Sequence, residues 1–181
     1  MENTEEQFKK VISKCRDLFL KKMSDYGVAW RILRVPSVTD QILIKARRIR
    51  SLEEKKTALI NEGIVSEFIA IVNYGLMGLV QLERGPVEDE DISSDEAICL
   101  YDKYSEKALD LMLRKNHDYD EAWRAMRISS YTDLILMKIF RTKQIEENCG
   151  QTQVSEGIDA NYYDMINYAV FGLIRLQFDK E

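Results

Sequence analysis

The feature that most constrains the fold of this chain is an internal duplication. The stretch SDYGVAWRILR at residues 24–34 returns, 93 positions later, as HDYDEAWRAMR at residues 117–127. Beyond Glu62 the shift becomes 94, so that Glu62-Gly63-Ile64 matches Glu156-Gly157-Ile158, which one inserted loop residue explains. The identical pairs include Lys22/Lys115, Asp25/Asp118, Trp30/Trp123, Arg31/Arg124, Arg34/Arg127, Lys45/Lys138, Arg48/Arg141 and Asn73/Asn167. So many ordered identities predict two copies of one structural unit.

An acidic segment separates the two copies. Gly85-Pro86 breaks the preceding helical pattern, and four acidic residues follow at positions 88–91, which predicts a solvated linker over 85–94. We therefore predict one helical repeat over residues 1–84 and a second over residues 95–181.

Each repeat has the apolar spacing of amphipathic helices. In the first helix, apolar residues from Phe8 to Tyr26 recur every three or four positions. Thr4 with Gln7 predicts a capping box at its start. Gly27 predicts a stop in left-handed geometry, which Asp120 can adopt at the matching position of the second repeat.

Two further helices complete each repeat. In the first repeat the pattern predicts a helix over roughly 38–54, capped by Ser37, and another over roughly 60–83. In the second repeat we predict a cap at Ser94 and a final helix over roughly 155–178.

The predicted architecture is all-α, with both repeats forming one pseudo-two-fold helical bundle. Only 8 glycines and 2 prolines occur in 181 residues, and helix-favouring residues dominate. Equal subunits most often pair about a two-fold axis. The alternative is two separate bundles on a linker, which three helices in about 80 residues make less favourable because the core of each would be thin.

Composition limits the class of protein. The net charge of −5 provides no overall basic field for nucleic acid. Cys15, Cys99 and Cys149 are far apart, and we expect them to be reduced thiols. The polar start of the chain is unlike a signal peptide, and no apolar run approaches the ~20 residues that span a bilayer. We expect a cytoplasmic protein without a membrane segment, and a homodimer remains open.

The repeated cationic residues are candidates for binding phosphate, because guanidinium and ammonium groups both bind phosphate oxygens. The alternative is a solvated, ion-paired helix face. The repeated Trp30 and Trp123 are candidates for stacking on a base, although packing in the core is the commoner role of such residues. The phosphate candidates are Lys22, Arg31, Arg34, Lys45, Arg48, Lys115, Arg124, Arg127, Lys138 and Arg141.

The final helix of each repeat carries the candidate metal ligands. Glu156, Asp164 and Asn167 fall near one helical stripe, and carboxylates are the ligands that Mg²⁺ prefers. Glu62 occupies the matching place in the first repeat, and we expect Asp118 or, across the pseudo-dimer, Asp25 to lie near Glu156 and Asp164. The alternative is ordinary polarity of a helix surface.

Several catalytic classes have no support in the sequence. His117 is the only histidine, and Ser24 stands at its place in the first repeat. Neither a Ser/His/Asp or Cys/His set nor a GxxxxGK[ST] loop is present.

The motifs K-x-x-D-Y-G, W-R-x-x-R, K-x-x-R and a final helix ending in N-Y resemble the nucleotide modification associated domain, type 1, once per repeat. In that family the last helix resembles E-x-x-x-D-x-x-x-D-L-x-N-Y. The first repeat has Ser66 and Ala70 in place of the two aspartates, and the second repeat has Ala160 but keeps Asp164. A weaker, fold-level likeness is to MazG-like all-α nucleoside triphosphate pyrophosphohydrolases.

The resemblance implies a nucleotide-binding protein, and further a Mg²⁺-dependent nucleoside triphosphate pyrophosphohydrolase with one degenerate site. The alternative is a non-catalytic helical scaffold in which Asp25, Arg31 and Arg34 form a structural ion network. Nucleic-acid binding is a third option that the net charge disfavours.

Overall fold

The computed structural model describes residues 3–55 and 63–177, and these residues form six α-helices and no strand. In the first repeat the helices are α1 (Thr4–Tyr26), α2 (Val35–Lys55) and α3 (Ile64–Arg84). In the second repeat they are α4 (Ser94–Tyr119), α5 (Ile128–Glu147) and α6 (Ile158–Gln177). A short 3₁₀ turn joins the first two helices of each repeat: the first Trp turn (Ala29–Ile32) and the second Trp turn (Ala122–Ala125).

The six helices form one bundle with pseudo-two-fold symmetry. α3 packs against α6 at the centre, and α2 packs against α5. The contact of α1 with α6 is repeated, under the two-fold relation, by the contact of α4 with α3. Thr39 donates to Glu146 at 2.7 Å, and Thr132 donates to Glu53 at 3.0 Å, which is the same contact seen from the other repeat. The predicted all-α pseudo-dimer is therefore confirmed.

Small residues bring the central helices together. Gly78 of α3 lies against the ring of Tyr162 on α6, and Gly172 of α6 lies against the ring of Phe68 on α3. A Cβ atom at Gly78 would lie 2.3 Å from Tyr162, so this approach requires glycine. The two contacts are equivalent under the two-fold relation, and together they fix the register of the central pair.

The helix ends only partly follow the sequence predictions. Gly27 (φ +62°) and Asp120 (φ +57°) end α1 and α4 as predicted. The predicted caps are wrong by one or more residues. Asn3 caps α1 and Ser93 caps α4, each accepting a backbone N–H. α2 begins at Val35, before Ser37, because the N–H of Ser37 already bonds to the carbonyl of Arg34 at 2.9 Å.

The final helices begin later than predicted, at Ile64 and Ile158. Glu156 consequently precedes α6 instead of lying on its stripe. The predicted start of the first repeat's last helix, including Glu62, lies outside the described residues. α3 is long and apolar enough to cross a membrane by length and composition, so the expectation that no such run exists was wrong. In the bundle, 61% of the apolar stretch of α3 is buried, as expected for a core helix.

The segment between the repeats packs on the first repeat. Ile92 is buried, and the N–H of Val87 donates to the carbonyl of Arg31 at 3.1 Å. Asp91 accepts two hydrogen bonds at 3.0 Å from the guanidinium of Arg31. The predicted solvated linker is therefore in part a structural element.

Candidate functional site

Equivalent helices of the two repeats each hold one buried carboxylate, but at different positions. In the second repeat the carboxylate is Asp164 on α6, and Ala70 stands at its place in the first repeat. In the first repeat it is Glu67 on α3, and Asn161 stands at its place in the second. The carboxylate has thus moved by three residues, about one helical turn, between the repeats.

Asp164 is held by two ammonium groups. Lys115 of α4 and Lys138 of α5 each lie 2.7 Å from one of its oxygens. Burial alone would raise the pKa of Asp164, but the two lysines outweigh that effect and hold the pKa below its usual value. The side chain therefore stays ionised, and it links all three helices of the second repeat.

Glu67 has the corresponding role in the first repeat, with different partners. Arg48 and Lys45, both on α2, pair with its two oxygens, and the Lys45 contact is long at 3.5 Å. The ion pairs that Glu67 makes with described residues are both to α2, and none is to α1. Lys22, which matches Lys115, is exposed and has no hydrogen-bond or ion-pair partner among residues 3–55 and 63–177.

Lys22 stands beside an aromatic cleft between α1 and α3, which we call the repeat-one cleft. Its walls include Phe19, Tyr26, Trp30 and Tyr74, together with Asn73, Met77 and Ala70. The buried indole N–H of Trp30 has no acceptor within the described part of the chain. The cleft thus combines planar rings, an unused donor and a free cation.

The equivalent place in the second repeat is filled. Phe171, which stands where the first repeat has Met77, stacks on Trp123 with ring centroids 4.2 Å apart and planes 7° from parallel. Arg124 lies over the same indole, 4.4 Å from its centroid. Trp123 is buried, so a ligand could stack on it only by displacing these side chains.

The repeated arginines of the Trp turns are mainly structural. Arg31 is 1% exposed and bonds to Asp91 and Gln81. Arg124 bonds to Glu121, Thr4 and Gln7. This geometry argues against Arg31 as a phosphate ligand, because the linker covers it. It also replaces the proposed Asp25/Arg31/Arg34 network with one built on Asp91.

The remaining predicted residues are dispersed. Arg34, Arg127 and Arg141 are exposed, and so are Asp25 and Asp118. Glu156 is exposed and lines a second cleft with Asp164, Lys115 and Asp159. The structure therefore brings Glu156 and Asp164 together, and leaves Asp25 and Asp118 outside that cleft.

The donor atoms present do not fit a protein-held Mg²⁺ ion. Both oxygens of Asp164 already receive ammonium groups, so a dication at that carboxylate would meet two positive charges. Among the residues that the structure covers, no three Asp, Glu, His or Cys side chains are placed to hold a metal. We derive no chemical step through magnesium.

Sequence reasoning noticed Glu67 and Asn161 on the last helices but assigned them no role, and it did not single out Met77 or Phe171. The signal was available in the repeat alignment. On its last helix the second repeat has Asn161 in place of Glu67, and one turn later it has Asp164 in place of Ala70. The exchange of Met77 for Phe171 was equally visible, but only the structure shows that it fills a cleft.

Comparison with known proteins supports the duplication. A family model described as nucleotide modification associated domain 1 matches residues 22–82 and again residues 115–176. No curated protein and no solved structure was found to match the chain. The likeness to MazG-like enzymes therefore stays a prediction.

Proposed function

We propose that this chain, which belongs to the nucleotide modification associated domain 1 family and contains that domain twice, binds a nucleotide in the repeat-one cleft. The observation that carries the proposal is the cleft itself, in which family-motif residues Lys22, Tyr26, Trp30, Asn73 and Tyr74 meet. The family description supplies the ligand class, and the cleft supplies a place for it.

The lining has the chemistry that a nucleotide uses. Aromatic rings stack on bases of any identity, which contributes about 1–3 kcal/mol per base. The unpartnered N–H of Trp30 is a donor for a base or sugar oxygen. Lys22 offers an ammonium group to phosphate without first leaving a partner within residues 3–55 and 63–177.

The cleft is narrow in the unbound protein. Its cavity volume of about 50 Å³ is far below the roughly 300 Å³ of the smallest usual ligand pockets. Entry of a base requires a side chain to move, and Met77 is suited to this because its unbranched thioether chain is flexible. The stiffer Phe171 closes the matching space in the second repeat.

A reciprocal exchange tests the proposal. Titration calorimetry with nucleoside mono- and triphosphates is expected to show binding to the wild-type protein. Met77→Phe is expected to weaken it by tenfold or more, about 1.4 kcal/mol. Phe171→Met is the matched control and should leave that binding intact. Absence of nucleotide binding by the wild-type chain would overturn the proposal, and equal binding by Met77→Phe would place the ligand elsewhere.

Hydrolysis is a second proposal, and the cleft that contains Glu156 and Asp164 favours it. Lys107, Arg114 and Lys115 line the same cleft and would contact the phosphates of a triphosphate that carries its own Mg²⁺, so that no protein-held metal is required. Incubating the protein with nucleoside triphosphates and Mg²⁺ tests it by release of pyrophosphate. Turnover that survives Glu156→Gln and Asp164→Asn would remove these residues from the mechanism, and no turnover would leave a binding protein.

A further inference from the structure

The second repeat contains an internal anion where the first repeat has none. The carboxylate of Asp164 bridges Lys115 and Lys138, which come from the first two helices of that repeat. Under the two-fold relation these lysines correspond to Lys22 and Lys45, and Ala70 replaces Asp164.

We propose that the space over Ala70, between Lys22 and Lys45, is a phosphate subsite, and that Asp164 marks in the second repeat where the ligand's phosphate lies in the first. This inference rests on the proposed nucleotide binding and adds which group of the ligand is recognised and by which residues. Ala70 and Lys22 both line the repeat-one cleft, so the subsite is continuous with the aromatic walls.

The two lysines of the subsite are held more loosely than their counterparts in the second repeat. Lys22 has no partner within the described ranges. Lys45 lies 3.5 Å from Glu67, beyond hydrogen-bonding distance, whereas Lys138 lies 2.7 Å from Asp164. The side chain of Lys45 is 31% exposed against 11% for Lys138. Lys45 can therefore turn towards a ligand while Arg48 continues to neutralise Glu67.

The ligand chemistry follows from the charge of this subsite and from its place beside the aromatic cleft. Two ammonium groups on adjacent helices match one phosphate group, as they match one carboxylate in the second repeat. A planar ring in the cleft and a single phosphate beside it describe a nucleoside monophosphate, or the phosphate nearest the sugar in a longer nucleotide. At the matching point of the second repeat, Asp164 already occupies the space between the two lysines.

Ala70→Asp tests the subsite by giving the first repeat its own internal anion. The dissociation constants of a nucleoside monophosphate and of the parent nucleoside are compared by calorimetry. We expect Ala70→Asp to weaken monophosphate binding about tenfold or more and to change nucleoside binding less than twofold. Ala70→Asn has the size of the aspartate without its charge, and it should weaken monophosphate binding clearly less than Ala70→Asp does.

The outcomes separate this inference from the proposed function. Equal loss of nucleoside and monophosphate in Ala70→Asp would overturn the subsite while leaving the aromatic cleft in place. An unchanged monophosphate affinity would overturn it as well. Inorganic phosphate, titrated alone, gives an independent arm. The wild-type chain could bind inorganic phosphate but no nucleotide, and Ala70→Asp could abolish that phosphate binding. This result would support the phosphate subsite and refute the proposed nucleotide binding. Thermal unfolding of each variant checks that it is folded.

Discussion

The two repeats have the same helices and the same Trp turn, yet they use their interiors differently. In the second repeat, Phe171 covers Trp123, and Asp164 neutralises the two repeated lysines. In the first repeat, Met77 leaves a cleft beside Trp30, and Lys22 is unpaired within the residues described. The comparison shows that the more complete set of acidic motif residues belongs to the more closed half. Retained carboxylates therefore do not by themselves identify the open site.

The largest expected effect comes from removing the carboxylate that closes the second repeat. Asp164→Asn leaves Lys138, which is mostly buried, beside a neutral amide. We expect a loss of about 3 kcal/mol in the free energy of unfolding, because breaking a buried pair leaves a charge uncompensated. Urea unfolding measures it. Moving the carboxylate one turn, with Asn161→Glu and Asp164→Ala together, copies the first repeat and should recover part of the loss. No recovery would refute the equivalence of Glu67 and Asp164.

The stability difference between wild type and Asp164→Asn depends on pH. The folded pKa of Asp164 is lowered, so its contribution to stability is present above the unfolded pKa of about 3.9. That contribution is lost as the pH falls through the folded value. The stability difference between wild type and Asp164→Asn should be constant above about pH 5 and should shrink in more acid solution. A difference that instead grew on acidification would contradict the lysine pairing.

A smaller effect compares the two glycines of the central helix pair. A Cβ atom at Gly78 would lie 2.3 Å from the buried ring of Tyr162, whereas at Gly172 it would lie 3.1 Å from the ring of Phe68. Alanine gains up to ~1 kcal/mol in helix propensity at both positions, but overpacking typically costs about 1–3 kcal/mol. We expect Gly78→Ala to lower the unfolding free energy by about 2 kcal/mol and Gly172→Ala to change it little. Thermal unfolding of the two variants gives the ranking, and equal losses would show that the interface is more symmetric than the distances indicate.

The smallest effect concerns one hydroxyl group. Tyr101 donates to the buried amide oxygen of Asn73 at 2.8 Å. The matching oxygen, on Asn167, has no donor among the described residues, and Phe8 stands where the symmetry would place a tyrosine. Tyr101→Phe should cost about 1 kcal/mol and Phe8→Tyr should add up to about 1 kcal/mol, because each changes one buried hydrogen bond. Chemical denaturation of both variants checks the pair. A destabilising Phe8→Tyr would mean that the space beside Asn167 does not match its counterpart.

Much of the fold follows from local pattern, and the errors have physical causes. Gly27 and Asp120 end helices because of their own backbone preferences, so sequence alone identifies both ends. The earlier start of α2 had a missed signal, since Pro36 is suited to a first helical turn. Ser93 and Ser94 are adjacent, and the sequence cannot tell which hydroxyl reaches the N–H of Glu96.

The site was less predictable because it depends on contacts between distant segments. Lys115 is paired because Asp164 lies opposite it, whereas Ala70 lies near Lys22. Only the packing of the helices shows that these residues, 48 or 49 positions apart, face each other. From sequence alone Arg31 is expected to be an exposed cation, but in the structure Asp91 of the linker pairs with it. The stacking of Phe171 on Trp123 likewise joins residues 48 positions apart. These are tertiary relations that helical periodicity does not contain.

Because both repeats lie in one chain, equivalent residues of the two repeats can mutate independently. In a homodimer of identical subunits, a codon change at the position of Met77 would alter both clefts at once, and a closing mutation would remove every site. Here the equivalent codons, 77 and 171, are separate. One half can therefore accumulate the well-packed, charge-neutralised interior that favours stability, while the other keeps the looser interior that binding requires.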